Sequence, residues 1–410
     1  MRTLLVTICL STVLLTAGCS EPADGIYPRG RKLAFMGYSG NPSRDLTNGF
    51  TVAGPVYGNQ MPYLATCFSN KWPVVAQIGP HITFNDKSPT KYKVDEPSLR
   101  REVAQQVTAL AGHTNIVWWS VQPEELRPWR KDEMKYLAIV TDTIRKNDPL
   151  ARPIYMYNPN NRAVDSLIPM ARQLDVVGKG CYVNLAGHKR DRGWVRWSIE
   201  QETSAIRTAG RTNAIPILLP ELCTDPDPSE DTEIRAWVRH DVYLGMVSGA
   251  KGGVIWSLFK RGGVHRTWQR WYDAYAECAR ELNGERGLAQ VFLFGERRND
   301  LKVSLDQGAA TLPVTLGGNA EPDTTSDKER ALRTVKLTAW TAIELAYRQE
   351  RWLFLINSGN SSAAFTITGW PAGTRAANAF DDTAFPLPST VPLRLELPAY
   401  GVIALRFDQF

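Results

Sequence analysis

The sequence predicts an α/β fold, a (β/α)8 TIM barrel followed by an all-β sandwich domain, and three observations predict it. Short β-rich apolar runs alternate with longer helical patterns from Leu33 to about Asn283, the signature of parallel βα units. Eight such runs over about 250 residues fit a closed barrel better than an open doubly wound sheet. Past Gly284 the pattern changes to strands alone.

The expected strands are 33–36, 50–53, 74–78, 116–121, 154–157, 176–178, 217–219 and 253–257. Helices between them show in apolar residues returning at i+3 or i+4: Leu99, Val103, Val107 and Leu110; Leu137, Val140 and Ile144; Ile234, Trp237, Val238, Val242 and Met246. No glycine-rich phosphate loop follows any strand, which argues against a nucleotide-binding fold. In the C-terminal part, Leu393, Leu395 and Leu397 alternate with Arg394 and Glu396, as in a strand with one buried face. The stretch 311–328, rich in Gly, Thr, Asp and Pro, is expected to be a long loop. The resulting division is a signal at 1–18, a tether at 19–31, the barrel at 32–284 and the β-sandwich at 285–410.

The first residues have the three-part layout of a secretory signal: Arg2, an apolar stretch from Leu4 to Leu15, and small residues before Cys19. Leu15-Thr-Ala-Gly-Cys19 resembles the lipobox of bacterial lipoproteins. The resemblance implies a lipid on the Cys19 thiol and an exported protein anchored to the cell envelope. No later segment is apolar enough to cross a membrane. The chain carries 48 basic against 42 acidic residues, mixed along its length, which gives no support for nucleic-acid binding. Cys67, Cys181, Cys223 and Cys278 are spaced too irregularly for a zinc motif, and the histidines form no ligand pair, so neither a metal nor a cofactor is expected. Export permits a disulfide. Cys181 with Cys223 is the pair that adjacent strands would allow, with four free thiols the equal alternative.

In a (β/α)8 barrel the active site forms at the C-terminal ends of the strands. Two expected strands end in acids: the fourth runs into Gln122-Pro-Glu124-Glu125 and the seventh into Pro220-Glu221. Hydrolysis of a glycoside needs one carboxylic acid to protonate the leaving oxygen and one carboxylate to attack or stabilise the oxocarbenium-like carbon. Strands four and seven face each other across a barrel mouth. Trp256, on the eighth strand, offers an apolar floor for a sugar ring.

Trp119-Ser-Val-Gln-Pro-Glu124 resembles the Trp-Ser-Leu-Gly-Asn-Glu segment that carries the acid/base of clan A glycoside hydrolases. Glu221 then corresponds to their nucleophile and Trp256 to their strand-eight tryptophan. The resemblance implies retention through a covalent glycosyl-enzyme. Pro123 departs from it, standing where the clan has an asparagine on the sugar 2-hydroxyl, and this leaves Glu125 open as an alternative to Glu124. Residues 397–405 resemble the last strands of the β domain that follows many such barrels.

Around a bound poly- or oligosaccharide, Tyr182 is expected to hydrogen-bond the nucleophile, Asn158, Asn160 and His81 to contact sugar hydroxyls, and Tyr38 and Tyr57 to line the mouth as stacking surfaces. The basic loops 187–192 and 260–266, with Lys260 and Arg261, suggest an anionic glycan. Asp225, Asp227 and Glu230 form an acidic cluster broken by two prolines, closer to a solvated loop than to a calcium site. Beside hydrolysis stand two other readings, a glycan-binding surface lipoprotein that has lost catalysis and a structural envelope protein.

Overall fold

The computed structural model describes residues 24–80, 94–187, 191–260, 265–317, 325–387 and 391–408. Cys19, His81, Arg261 and the basic run 188–190 lie outside the described residues. Seven parallel strands form one curled sheet: β1 (Ala34–Gly37), β2 (Val74–Ile78), β3 (Ile116–Val121), β4 (Ile154–Asn158), β5 (Val176–Cys181), β6 (Ile215–Pro220) and β7 (Gly252–Ile255). Their order is β1-β7-β6-β5-β4-β3-β2. The second expected strand, 50–53, is not a regular strand, and it makes only one bridge, Ala53 to Val74. It nonetheless sits between β1 and β2. The Thr51 N–H donates to Phe35 O at 2.9 Å, and Val75 N–H to Ala53 O at 3.0 Å. Four residues with a glycine turn on each side are too short for a full ladder, yet they carry the hydrogen bonding across the gap.

Side chains alternate between the barrel interior and the helical layer, as the period of a strand requires. Met36, Val75, Trp118, Tyr155, Ile217 and Val254 fill the interior, while Ala76, Trp119, Met156 and Val177 meet the helices. The helix Glu96–Ala111 begins with Pro at its second residue and buries Leu99, Val103, Val107 and Leu110, the set the spacing picked out. Lys131–Asn147 carries Asp132 and Glu133 in its first turn and Arg145 and Lys146 in its last, complementing the helix dipole. The helix Ile234–Ser248 stops at Gly249, whose φ of 117° is a left-handed conformation that favours glycine.

The C-terminal part is antiparallel β structure. Its strands are β8 (Glu296–Arg298), β9 (Lys302–Gln307), β10 (Thr311–Leu316), β11 (Arg333–Thr338), β12 (Trp340–Tyr347), β13 (Glu350–Asn357), β14 (Ala363–Thr368), β15 (Arg375–Asn378), β16 (Ala384–Phe385), β17 (Leu393–Leu397) and β18 (Val402–Asp408). They form a six-stranded sheet, β16-β15-β18-β13-β12-β8, a three-stranded sheet, β17-β14-β9, and the ribbon β10-β11. Leu353, Leu355, Phe365, Ile367 and Leu405 share one apolar core between the larger two sheets. The expected long loop 311–328 is in part regular: Thr311–Leu316 pairs with β11 over six residues, and Asp327–Arg330 is a short helix. The alternation of Leu312, Val314 and Leu316 was hidden there by flanking polar composition.

This β domain leans on the barrel. Val314 and Leu316 join Trp194 and Val195 in one core, and Glu329 accepts from the Ala163 N–H at 2.8 Å, next to the loop after β4. Cys67, Cys181, Cys223 and Cys278 are free thiols, so the Cys181–Cys223 pair does not form. Among the described residues no helix is long and apolar enough to cross a membrane.

Candidate active site

Glu124 and Glu125 follow β3. Consecutive residues of an extended chain point to opposite faces, yet both of these carboxylates line one cavity of about 420 Å³ at the C-terminal end of the barrel. The backbone of Glu125 explains this. Its φ of 64° is left-handed, a conformation costing about 1 kcal/mol or more for a side chain of this kind. Its N–H donates to Tyr157 O at 3.2 Å, which ties the turn to the end of β4. Tyr57, Tyr157, Tyr182 and Trp256 form the aromatic walls, and Asn160, Asn161, Leu185 and Thr325 complete the lining.

The aromatic rings form a connected set. Tyr182 stacks on Trp256 with centroids 5.3 Å apart and on Tyr157 at 6.1 Å, and the Trp256 indole N–H donates to Tyr57 Oη. Tyr38 lies behind the lining rather than in it. It is fully buried and stacks on Tyr57 at 5.1 Å. Its hydroxyl donates to Glu124 Oε2 at 2.9 Å and shares a 3.1 Å hydrogen bond with Tyr155. Burial pushes the Glu124 carboxyl up to about 7, against the pull of the Tyr38 hydroxyl and with a further push from the Glu125 charge. A carboxyl tuned to that range holds its proton near neutrality and can deliver it.

Glu221 closes β6 and is only 2% exposed. Its two carboxylate oxygens accept the backbone N–H groups of Asn184 and Leu185, the latter at 2.8 Å. It is not among the residues lining this cavity, whereas Leu185, one of the two residues whose N–H it holds, is. Burial outweighs the two N–H donors and pushes the Glu221 carboxyl up to about 7. Behind the loop, Arg192 bonds Asn184 Oδ1 at 3.0 Å and pairs with Asp241. Asp241 is 2.8 Å from His240 Nδ1, and His240 Nε2 is 2.9 Å from Ser358 Oγ in the β domain. That last spacing resembles a Ser-His-Asp triad, but Ser358 is 1% exposed and His240 fully buried, so the arrangement ties the domains together.

Other expected contacts are placed as follows. Asn160 lines the cavity and also works from behind it, accepting the Tyr182 N–H at 3.0 Å and the Trp194 indole N–H at 3.2 Å. Asn158 does not reach the cavity. It is fully buried and donates to Gly178 O at 2.9 Å, because the last strand residue faces its neighbour strand rather than the mouth. Lys260 does not reach it either, and its ammonium sits 5.7 Å from the Trp268 ring centroid. In the acidic cluster, Asp225 accepts the N–H groups of Arg266 and Thr267, and Asp227 and Glu230 cap a short helical turn. Tyr157, Asn161, Leu185 and Thr325 were not anticipated. Tyr157 could have been found, since it ends the expected strand 154–157 at the mouth of the barrel. Thr325 could not, because it arrives from the β domain.

At the sequence level the chain matches no protein-family profile and no curated protein. Among solved structures it is similar to an alpha-amylase from Geobacillus thermoleovorans complexed with acarbose (TM-score 0.52, 8% identity, 92% of this chain and 98% of that one). It is equally similar to an Anoxybacillus alpha-amylase (TM-score 0.53, 7% identity, 92% and 98%). At such identity the likeness concerns the fold: a barrel followed by a β domain, the architecture of these glycoside hydrolases.

Proposed function

We propose that the protein is a glycoside hydrolase working in the cavity at the barrel mouth. The observation that carries this reading is the Glu124 carboxyl, buried against Tyr38, raised to about 7, and lining an aromatic cavity at the catalytic end of a glycosidase-type barrel. Glu124 protonates the leaving glycosidic oxygen. Glu125, lining the same cavity, supplies negative charge as the ring carbon becomes oxocarbenium-like, and a water bonds to that carbon while its proton passes to the carboxylate that Glu124 has become. Trp256 and Tyr182 give a sugar ring an apolar surface to stack on.

Attack by Glu221, which the clan A resemblance implies, would require Leu185 and Asn184 to release its carboxylate. In the present arrangement Glu221 holds the loop, and we assign it that positioning role. The signal-like start and Cys19 support an exported, lipid-anchored protein acting at the cell envelope. The test is release of new reducing ends from a polysaccharide panel by the parent protein and by Glu124→Gln. Release by the parent alone supports the reading. Binding without release by either would instead favour a non-catalytic glycan receptor.

A further inference from the structure

We infer that the floor of the barrel, the end opposite the cavity, is a docking surface for an anionic phospholipid bilayer, so that the cavity opens away from that membrane. The inference takes its setting from the reading of Cys19 as a lipid anchor. In a parallel βα barrel the segment entering the first strand, the last turn of each helix and the loop from it to the next strand lie at the amino ends of the strands. Here those segments are 24–33, 66–73, 108–115, 144–153, 168–175, 205–214, 245–251 and 280–287. They hold thirteen basic residues against five acidic ones, although the whole chain has a net charge of only +6. Everything outside the floor is therefore slightly acidic in sum, and the fold gathers onto one face a basic excess that is dispersed along the chain. Burial sharpens the asymmetry. Nine of these basic residues are exposed, among them Arg29, Lys71, Arg145, Arg172 and Arg207, whereas of the acids only Asp24 and Glu285 are.

The start of the folded chain lies on the same face. The loop 25–32 closes on itself, with the Tyr27 N–H donating to Lys32 O and the Lys32 N–H to Gly25 O, both at 2.8 Å. Ile26, 7% exposed, joins the interior set that includes Val75 and Trp118, so this loop plugs the barrel from below. Asp24, Ile26 and Lys32 share a depression of about 910 Å³ with Lys71 and His113. Four residues separate Cys19 from Asp24, a reach of at most about 18 Å even when fully extended. A lipid on Cys19 thus keeps the floor close to the headgroups, where each lysine or arginine near an anionic surface strengthens attachment about fivefold. A lipid chain beside a basic patch is a recurrent two-part anchor. The wall helix Lys131–Asn147 is about 25 Å long, which sets the cavity roughly that far from the bilayer and turns it toward substrates beyond the membrane.

The experiment is cosedimentation of the full chain carrying Cys19→Ala, which removes lipid attachment, with vesicles of phosphatidylcholine alone or of two parts phosphatidylcholine to one part phosphatidylglycerol. Apolar insertion of the N-terminus is common to both vesicle types, so the difference between them reads the floor. Partition onto the anionic vesicles is expected to be at least about tenfold higher and to fall with added salt. The triple variant Lys71→Glu, Arg172→Glu and Arg207→Glu, at exposed sites that form no ion pair among the described residues, is expected to erase the preference. Lys302→Glu, Lys336→Glu and Arg394→Glu change the net charge equally on exposed strand positions of the β domain and are expected to keep it. Equal partition onto the two vesicles, equal loss in the two triple variants, or tighter binding to soluble polygalacturonate than to the anionic vesicles overturns the proposal. Mass spectrometry of Cys19 in the unsubstituted protein, taken from its native membrane, reads the anchor separately. An unmodified thiol beside an intact anionic preference removes the lipid-anchor reading and leaves the docking surface standing.

Discussion

The hydroxyl of Tyr38, just past β1, donates to Oε2 of Glu124, just past β3, at 2.9 Å. This bond favours the ionised carboxylate and holds the proton affinity of Glu124 below what burial alone would give. Tyr38→Phe removes it, so the Glu124 pKa rises above about 7 and the acid stays protonated to higher pH. The alkaline limb of the activity profile should move upward, by about one pH unit at most. A pH–rate profile of the variant checks the direction.

Glu125 acts on Glu124 with the opposite sign. Its charge raises the Glu124 pKa, so Glu125→Gln should move the alkaline limb down, besides weakening turnover. Glu124→Gln should lower kcat/KM by about 10²–10⁴, the usual contribution of a positioned acid. The two profiles, taken side by side, separate the proton donor from its neighbour.

Replacing Glu221 by Gln tests its role as a loop holder. The amide has one acceptor oxygen where the carboxylate had two, so one of the Asn184 and Leu185 N–H groups faces an N–H₂ instead. The expected cost is about 1–3 kcal/mol in urea unfolding, with faster hydrogen exchange at both amides. The stability should also change its pH dependence. The Glu221 carboxyl is raised from 4.5 to about 7 in the folded protein, so the unfolded chain loses this proton first. Its contribution is full below about 4.5 and is lost as pH rises through about 7. Glu221→Gln should remove that part of the slope. Unchanged stability and exchange, with turnover abolished, would return Glu221 to the role of nucleophile.

Arg192 and Asp241 are both buried and hydrogen-bonded to each other. Arg192→Met leaves Asp241 charged and without its chief counter-ion, which should cost about 3–5 kcal/mol, read by chemical denaturation. Because Arg192 also holds Asn184 Oδ1, the loop over Glu221 should exchange faster in this variant too.

Much of this was legible in one dimension. Runs such as 116–121 and 217–219, and helical sets such as Leu99, Val103, Val107 and Leu110, announce barrel units because hydrophobic periodicity is a local property. The same logic places Glu124, Glu125 and Trp256 at the mouth, since they follow strands. The β domain shows itself in the alternation of Leu393, Leu395 and Leu397, but not in β10, where polar neighbours mask the pattern.

What only the tertiary structure decided is where each side chain goes once its strand has ended. Alternation is lost at the last strand residue, and beyond it contacts between distant segments take over. Hence Glu125 turns into the cavity through a left-handed backbone, and Asn158 turns away to Gly178. Glu221 is taken up by the amides of 184 and 185, and Thr325 enters from another domain. Strand and helix identity follow from near neighbours and so belong to the sequence. The partners of Glu124 and Glu221 lie tens of positions away along the chain, and only the folded chain brings them together.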